Sequence, residues 1–384
     1  MCDRLPEMAP HPSSRLPCVL LPCLYLCVSS SPLRGGGTLQ AADEASSSAA
    51  AGVAAAAAAV DGSSWMSALP DDLRLGAFSI PGSHDTMALH ETVYNSAQTQ
   101  SMGLQEQLEA GVRFLDIRCR HVSDRCAIHH GQIYQKANLN DVLTVVSSFL
   151  LLNPGETILM SVKDREWTDE KVSRSFTATF LSYARAYPGL FADNELLRDG
   201  APELGSVRGR IVLIRRFGLA GLDLHAVPAD FPLGLSASPG FAYNAPKPES
   251  APPYTFVCRS PLDNSTWIRA QDWCDLDCTL SACGTAFHKK SLLMEGARRE
   301  AAASSDARTL YLNFGNAVDF VFGGIPTRIR GLAESVNTNM HRLLTDPLWE
   351  GIAGNSGVYI FDFVTPSLAR DVYSAALRKF RAAA

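Results

Sequence analysis

Beyond about residue 64 the chain alternates apolar runs of strand length with longer stretches in which apolar positions recur at helical spacing. The strand-like runs are Leu75–Ile80, Val112–Arg118, Cys126–His130, Glu156–Lys163, Arg210–Phe217, Trp267–Asp272, Thr309–Phe314 and Val358–Val364. Helical spacing covers Leu139–Leu152, Asp169–Arg185, Thr285–Ala302, Ile325–Leu344 and Ser367–Arg381. The strand interiors are continuously apolar rather than alternating, the mark of a parallel sheet covered on both faces. Eight such strands, mostly separated by helices, predict an α/β fold: one closed (β/α)8 barrel of the TIM type, irregular in places. Residues 218–261, rich in Gly and Pro, are expected to form a long loop insertion over one face. No glycine fingerprint follows the first strand, which argues against a dinucleotide-binding sheet.

The N-terminal segment has a different character. Leu16–Val28 is a short apolar run interrupted by Pro17 and Pro22, and residues 35–64 are mostly Gly, Ala and Ser. The run is too short to span a bilayer and suits the apolar centre of a secretory signal, although Asp3 and Glu7 weaken its basic flank. A disordered extension is the competing reading. The expected division is therefore a leader and low-complexity segment over 1–64 and a barrel over 65–384. Of ten cysteines, four fall in the leader, and the remaining Cys119, Cys126, Cys258, Cys274, Cys278 and Cys283 are an even number compatible with disulfides and export. Cys274, Cys278 and Cys283, with His288 beyond, lack the paired spacing of most structural zinc sites. A net charge of -5 offers no electrostatic basis for nucleic-acid binding.

Chemistry gathers at the strand ends, where a barrel keeps its active site. His84 and Asp85 follow the first strand through the turn signal Pro81-Gly82; Asp116 and Arg118 end the second; His130 ends the third. Lys163, Arg216, Asp272 and Asp362 close the fourth, fifth, sixth and eighth. So many charged groups on one rim would be costly without a ligand to compensate them. Two histidines suit paired general acid–base work, and an aspartate beside a histidine fixes its tautomer. Arg118, Lys163 and Arg216 supply positive charge for an anion such as a phosphate, and Arg118 also repels a bound metal, so neither metal nor cofactor is expected. Competing structural readings stand beside these. Asp116 could simply pair with Arg118 or Arg120, and Lys163 could be a solvated strand end. Only one of Arg215 and Arg216 can face the site. His129 points away from His130 and is expected to be structural, while His90 and His121 are expected at the surface. Ser83 lacks the elbow of a serine hydrolase.

The segments Ile80-Pro81-Gly82-Ser83-His84-Asp85, Leu115-Asp116-Ile117-Arg118, Ile128-His129-His130-Gly131, Asn153–Ile158, Met160–Lys163, Gly209–Leu213, Ala270-Gln271-Asp272, Leu312-Asn313-Phe314 and Gly357–Phe363 carry a resemblance. In that order they resemble the bacterial-type phosphatidylinositol-specific phospholipases C, barrel phosphodiesterases of the X-domain class, from about Leu75 to the C-terminus. The resemblance implies His84 as general base oriented by Asp362, His130 with Asp85 as general acid, and Arg118 in place of calcium. It implies Lys163, Arg216, Asp272 and Asp116 as headgroup-binding residues, and inositol 1,2-cyclic phosphate and diacylglycerol as products. Calcium-dependent animal members carry Asn after the equivalent histidine; here it is Asp85. Bacterial members also place a tyrosine two residues beyond the sixth-strand aspartate, to stack on the inositol ring. Here Trp273 and Cys274 follow Asp272, so either Trp273 stacks in its place or the headgroup is held differently, and the expected substrate is phosphatidylinositol, a glycosylphosphatidylinositol or a related phosphodiester. The implied setting is a secreted monomer in peripheral contact with a membrane. Two alternatives remain: a glycerophosphodiester hydrolase, whose early glutamate pair this chain lacks, and a catalytically silent headgroup-binding barrel, in which a catalytic residue would be missing.

Overall fold

The structure, a computed structural model, describes residues 60–91, 97–164, 166–223, 228, 230–237, 253–274, 283–321, 325–327, 329–346 and 357–381. The expected leader and its four cysteines lie outside the described residues. Packed structure is present by the 3-10 turn Gly62–Ala68, earlier than composition suggested, because Asp61 caps it and Trp65 and Met66 bury their side chains.

The strands are β1 (Ile80–Ser83), β2 (Phe114–Val122), β3 (Arg125–His130), β4 (Ile133–Asn138), β5 (Ile158–Lys163), β6 (Ile211–Arg216) and β7 (Leu235–Ser236). They continue with β8 (Phe256–Cys258), β9 (Ile268–Gln271), β10 (Leu310–Phe314), β11 (Asp319–Val321), β12 (Ile325–Thr327) and β13 (Val358–Phe361). The helices are α1 (Leu104–Glu109), α2 (Leu139–Leu152), α3 (Phe176–Ala186), α4 (Leu204–Val207), α5 (Cys283–Ala303), α6 (Ile329–Thr345) and α7 (Pro366–Arg381).

Eight strands run parallel in the order β7-β6-β5-β2-β1-β13-β10-β9, so the first and last strands of the barrel are neighbours, and β8 adds antiparallel to β9. The fold is the expected α/β barrel, with three local differences. The first strand begins at Ile80 and continues through Pro81 and Gly82, whereas Leu75–Ala77 is a 3-10 turn. Gly82 makes this possible: a Cβ there would lie 2.8 Å from Cβ of Phe114 on the adjoining strand. The run Cys126–His130 is not a barrel strand at all. The first half of β2 pairs with β5, its outer half leaves the rim, and β3 and β4 fold back on it as an antiparallel excursion. The missing barrel strand is β7, two residues long and set within the Gly- and Pro-rich stretch expected to be loop, where periodicity has nothing to register. Residues 238–252 of that stretch lie outside the described residues.

Side-chain alternation organises the core. Phe114, Leu159, Val212, Leu312 and Ile360 belong to one apolar cluster, and Leu115, Met160, Leu213 and Phe361 belong to a second, with Val142, Val146, Phe180 and Val336 of the helices. At the N-terminal end of the barrel, Arg113 and Glu156 form a fully buried pair at 2.8 Å. Glu156 also accepts from the backbone N–H groups of Met66 and Ser67, which ties the entering chain to the barrel floor.

Candidate active site

The same alternation builds the opposite end. Counting in twos from the inner row, Ile80 leads to His84, Phe114 to Asp116 and Arg118, Leu159 to Lys163, and Val212 to Arg216. Ile268 leads in the same way to Asp272, Phe314 to Asn316, and Ile360 to Asp362. Arg215 has the other parity and is buried outside, donating to the carbonyls of Leu233 and Phe217.

His84 is 5% exposed and held on both ring nitrogens. Its Nδ1 lies 2.7 Å from Oδ1 of Asp362, and its Nε2 lies 2.6 Å from Nη2 of Arg118. A guanidinium only donates, so Nε2 carries the lone pair and Nδ1–H donates to Asp362. That is the tautomer in which Nε2 can take a proton. The backbone is fixed as firmly: the carboxamide of Gln100 donates to the carbonyls of His84 and Phe361, at 2.8 Å each, and accepts from the N–H of Val364. Thr99 Oγ1 donates to the carbonyls of His84 and Asp85.

Arg118 stands among carboxylates. Its Nε donates to Asp116 at 3.0 Å, and Nη1 lies 3.6 Å from Asp85 and 3.8 Å from Glu166. Burial works against its charge, but Asp116, Asp85, Glu166 and Asp272 outweigh burial and hold the guanidinium well above its ordinary range. Asp116 is fully buried and bridges Arg118 and Arg216, the latter at 3.0 Å, while also accepting from Ser161. Burial alone would raise its carboxyl, yet the two arginines pull it far below the usual range. Asp116 therefore pairs with Arg118, as the simpler reading had it, and does so as the beam between two cations. Burial in turn pushes Arg216 down, against the pull of Asp116.

His130 arrives from the excursion. Its Nδ1 donates to the carbonyl of Ala97 at 2.7 Å, and its Nε2 faces Oδ2 of Asp85 at 3.8 Å. Asp85 has a left-handed backbone, φ 44, and among the described residues neither of its buried carboxylate oxygens accepts a hydrogen bond. Burial raises its proton affinity, against the opposing pull of Arg118 and His130. Lys163 donates to Glu166 at 2.6 Å, and Glu166 accepts from the N–H of Gly131, tying β5 to the turn after His130. Burial disfavours the charge on Glu166, but Arg118 and Lys163 prevail and bring its carboxyl down to about 2.

A cavity of about 130 Å³ opens beside these groups; its lining includes His84, Arg118, His130, Asp362, Asn316 and Thr99, and does not include Lys163, Arg216, Asp272 or Asp116. Trp273 is not part of that lining: its ring packs against Ala317 and Leu332. Lys290 of α5, fully buried beneath, donates to Gln271 and to the carbonyl of Trp273. Burial brings its ammonium down to about 8, against the opposing pull of Asp272. Among the described residues no group of three or more His, Cys, Asp or Glu side chains is placed to hold a metal ion. Cys278 and the side chain of Cys283 lie outside the described residues. Two outlying histidines divide: His129 is buried beside Tyr134, as expected, whereas His121 is buried too, 2.9 Å from Thr179 Oγ1, because β2 runs on beneath α3. Sequence reasoning missed Gln100, Glu166, Lys290 and Asn316. Asn316 had a signal, the inner-row parity two residues beyond Phe314.

Residues 73–217 match the family model described as phosphatidylinositol-specific phospholipase C, X domain. The chain is 38% identical over 163 residues to the 1-phosphatidylinositol phosphodiesterase of Listeria monocytogenes, which covers 40% of this chain and 49% of that protein. It is 36% identical over 162 residues to the Staphylococcus aureus protein of the same name, covering 40% and 51%. The chain thus spans about half the length of the curated relatives it matches. Superposition reaches further: the solved phosphatidylinositol-specific phospholipase C of Listeria monocytogenes aligns over 82% of this chain and 99% of that one, with a TM-score of 0.63 and 26% identity. Residues 73–217 are therefore similar to the phosphatidylinositol-specific phospholipase C X domain, and the barrel fold is shared with the solved Listeria monocytogenes protein.

Proposed function

We propose that this chain cleaves the phosphodiester of phosphatidylinositol, or of a glycosylphosphatidylinositol, at a membrane surface and without a metal. The observation that carries the reading is His84, held by Asp362 on one nitrogen and by Arg118 on the other. A base whose lone pair is already paired with a guanidinium has its phosphate-binding cation in contact before substrate arrives.

The geometry supports the following steps. The inositol 2-hydroxyl displaces the guanidinium from His84 Nε2 and gives that nitrogen its proton. The freed Arg118 closes on the phosphate oxygens, where its charge stabilises the crowded phosphorus of the transition state. The hydroxyl oxygen bonds to phosphorus, the bond to the diacylglycerol oxygen breaks, and His130 donates the Nε2 proton that faces Asp85 to the departing oxygen. The products are inositol 1,2-cyclic phosphate and diacylglycerol. Asp362 fixes the tautomer of His84 and stabilises its imidazolium; the carbonyl of Ala97 holds Nδ1–H of His130, and the charge of Asp85 stabilises the His130 imidazolium that donates from Nε2. Arg216, Lys163 and Asp272 hold the headgroup hydroxyls. Asp116 positions the two arginines rather than binding the ring.

An oxidising compartment suits the chain, since Cys119 and Cys126 are disulfide-linked across β2 and β3, next to Arg118. Among the described residues no helix is long and apolar enough to cross a membrane. The test is diacylglycerol release from phosphatidylinositol vesicles by purified protein in excess chelator. Undiminished release is expected. Activity lost in chelator and restored by calcium would refute the role given to Arg118.

A further inference from the structure

Besides Asp362 and Arg118, one more side chain hydrogen-bonds the ring of His84, and the mechanism has not used it. Asn316 stands just beyond β10, where Gly315 N–H donates to the carbonyl of Ile360 at 2.7 Å and Val318 N–H to that of Cys274 at 2.9 Å. These bonds set the turn against the ends of β13 and β9. The Asn316 carboxamide nitrogen then lies 3.3 Å from His84 Nε2 and 3.3 Å from Oδ1 of Asp272. Its oxygen is buried and accepts no hydrogen bond among the described residues, although the residue is 4% exposed and lines the cavity. An acceptor left bare in so closed a place is costly unless a ligand supplies a donor.

The chemistry of the headgroup says which donor, given the reading of the site above. The carbon bearing the attacking hydroxyl has two ring neighbours. One carries the phosphate, which belongs to Arg118. The other carries a hydroxyl, and the group touching both the base and the headgroup-binding Asp272 is Asn316. We propose that Asn316 is a substrate-orienting residue whose carboxamide oxygen accepts the 3-hydroxyl of the inositol ring, so that the site selects a polyol with a hydroxyl on the far side of the nucleophile. The ring is thereby turned so that the 2-hydroxyl meets His84 Nε2 as the Asn316 amide and Arg118 give way. Phosphodiesters that carry a nucleophilic hydroxyl without that neighbour enter the same cavity and turn over poorly.

The test compares phosphatidylinositol with its 3-deoxy analogue in the wild type, Asn316→Ala and Asn316→Asp. The wild type is expected to prefer the natural lipid in kcat/KM by about 10- to 100-fold. Asn316→Ala should lose most of that preference, by slowing on the natural lipid with little change on the analogue. Asn316→Asp, which keeps the acceptor oxygen, should retain the preference even if slower on both lipids. The preference is a ratio within one preparation, so incomplete folding of a variant cancels. Equal losses on both lipids in Asn316→Ala, or no loss on either, would overturn the inference alone. A wild type that cleaves neither lipid would overturn the underlying reading of the site along with it.

Discussion

At the scale of single residues, the site is a chain of charges in which each group is set by the next. Asp362 holds His84, Arg118 meets the other nitrogen, and Asp116 holds Arg118 and Arg216 together. In the proposed mechanism His84 and His130 are the two halves of an acid–base pair, so replacing either with alanine should lower kcat by about 10²- to 10⁴-fold with the fold intact. Steady-state kinetics with a circular-dichroism control checks this, and a mere tenfold loss in both variants would contradict the paired roles. Glu166 makes a second prediction, about pH. Its carboxyl falls from an ordinary 4.5 to about 2 in the folded protein, so the unfolded chain binds its proton first as acid is added. The stability it contributes is fully present above pH 4.5 and is lost as pH falls from there toward about 2. Thermal melts across that window should show Glu166→Gln with a shallower acid slope than the wild type; identical slopes would show that Glu166 is not held by Arg118 and Lys163.

At the scale of elements, the barrel strands deliver side chains and the connections decide where they point. Two-residue alternation, read along each strand, carries every rim residue from His84 to Asp362 to the inner side, so that part of the site was legible from spacing alone. What spacing could not convey was the route of His130. It reads as the end of a barrel strand, but it rides on a hairpin that folds back from β2 over the rim. A strand-like run of five residues, Cys126–His130, looks the same in either setting. The barrel strand it displaced, Leu235–Ser236, is too short for any pattern to mark it. Long-range partners were equally hidden. Gln100 spans the ends of β1 and β13, a partnership between residues 261 positions apart that no local motif announces. Gln100→Ala leaves its buried partners short of bonds and should cost about 2–4 kcal/mol, in the range for several unsatisfied groups. It should also lower turnover by loosening His84 against Asp362. Denaturant unfolding and kinetics on one preparation measure both, and a stable variant with full turnover would remove Gln100 from the account.

Over the whole molecule, the barrel separates two kinds of buried charge. At the N-terminal end, Arg113 and Glu156 satisfy one another and the backbone of the entering chain, and serve the fold. At the C-terminal end, Asp85 and Asn316 keep buried oxygens without hydrogen bonds among the described residues, around a cavity that holds both histidines. Polar atoms left wanting beside a cavity are a physical sign of a binding site. The central claim is that the cavity runs an intramolecular displacement, with the lipid's own hydroxyl as nucleophile and Arg118 as the cation. Phosphorus NMR of the first water-soluble product, formed from phosphatidylinositol in excess chelator, tests it most directly. The account predicts that inositol 1,2-cyclic phosphate accumulates before any monoester; inositol monophosphate appearing from the outset, with no cyclic species ahead of it, would contradict it.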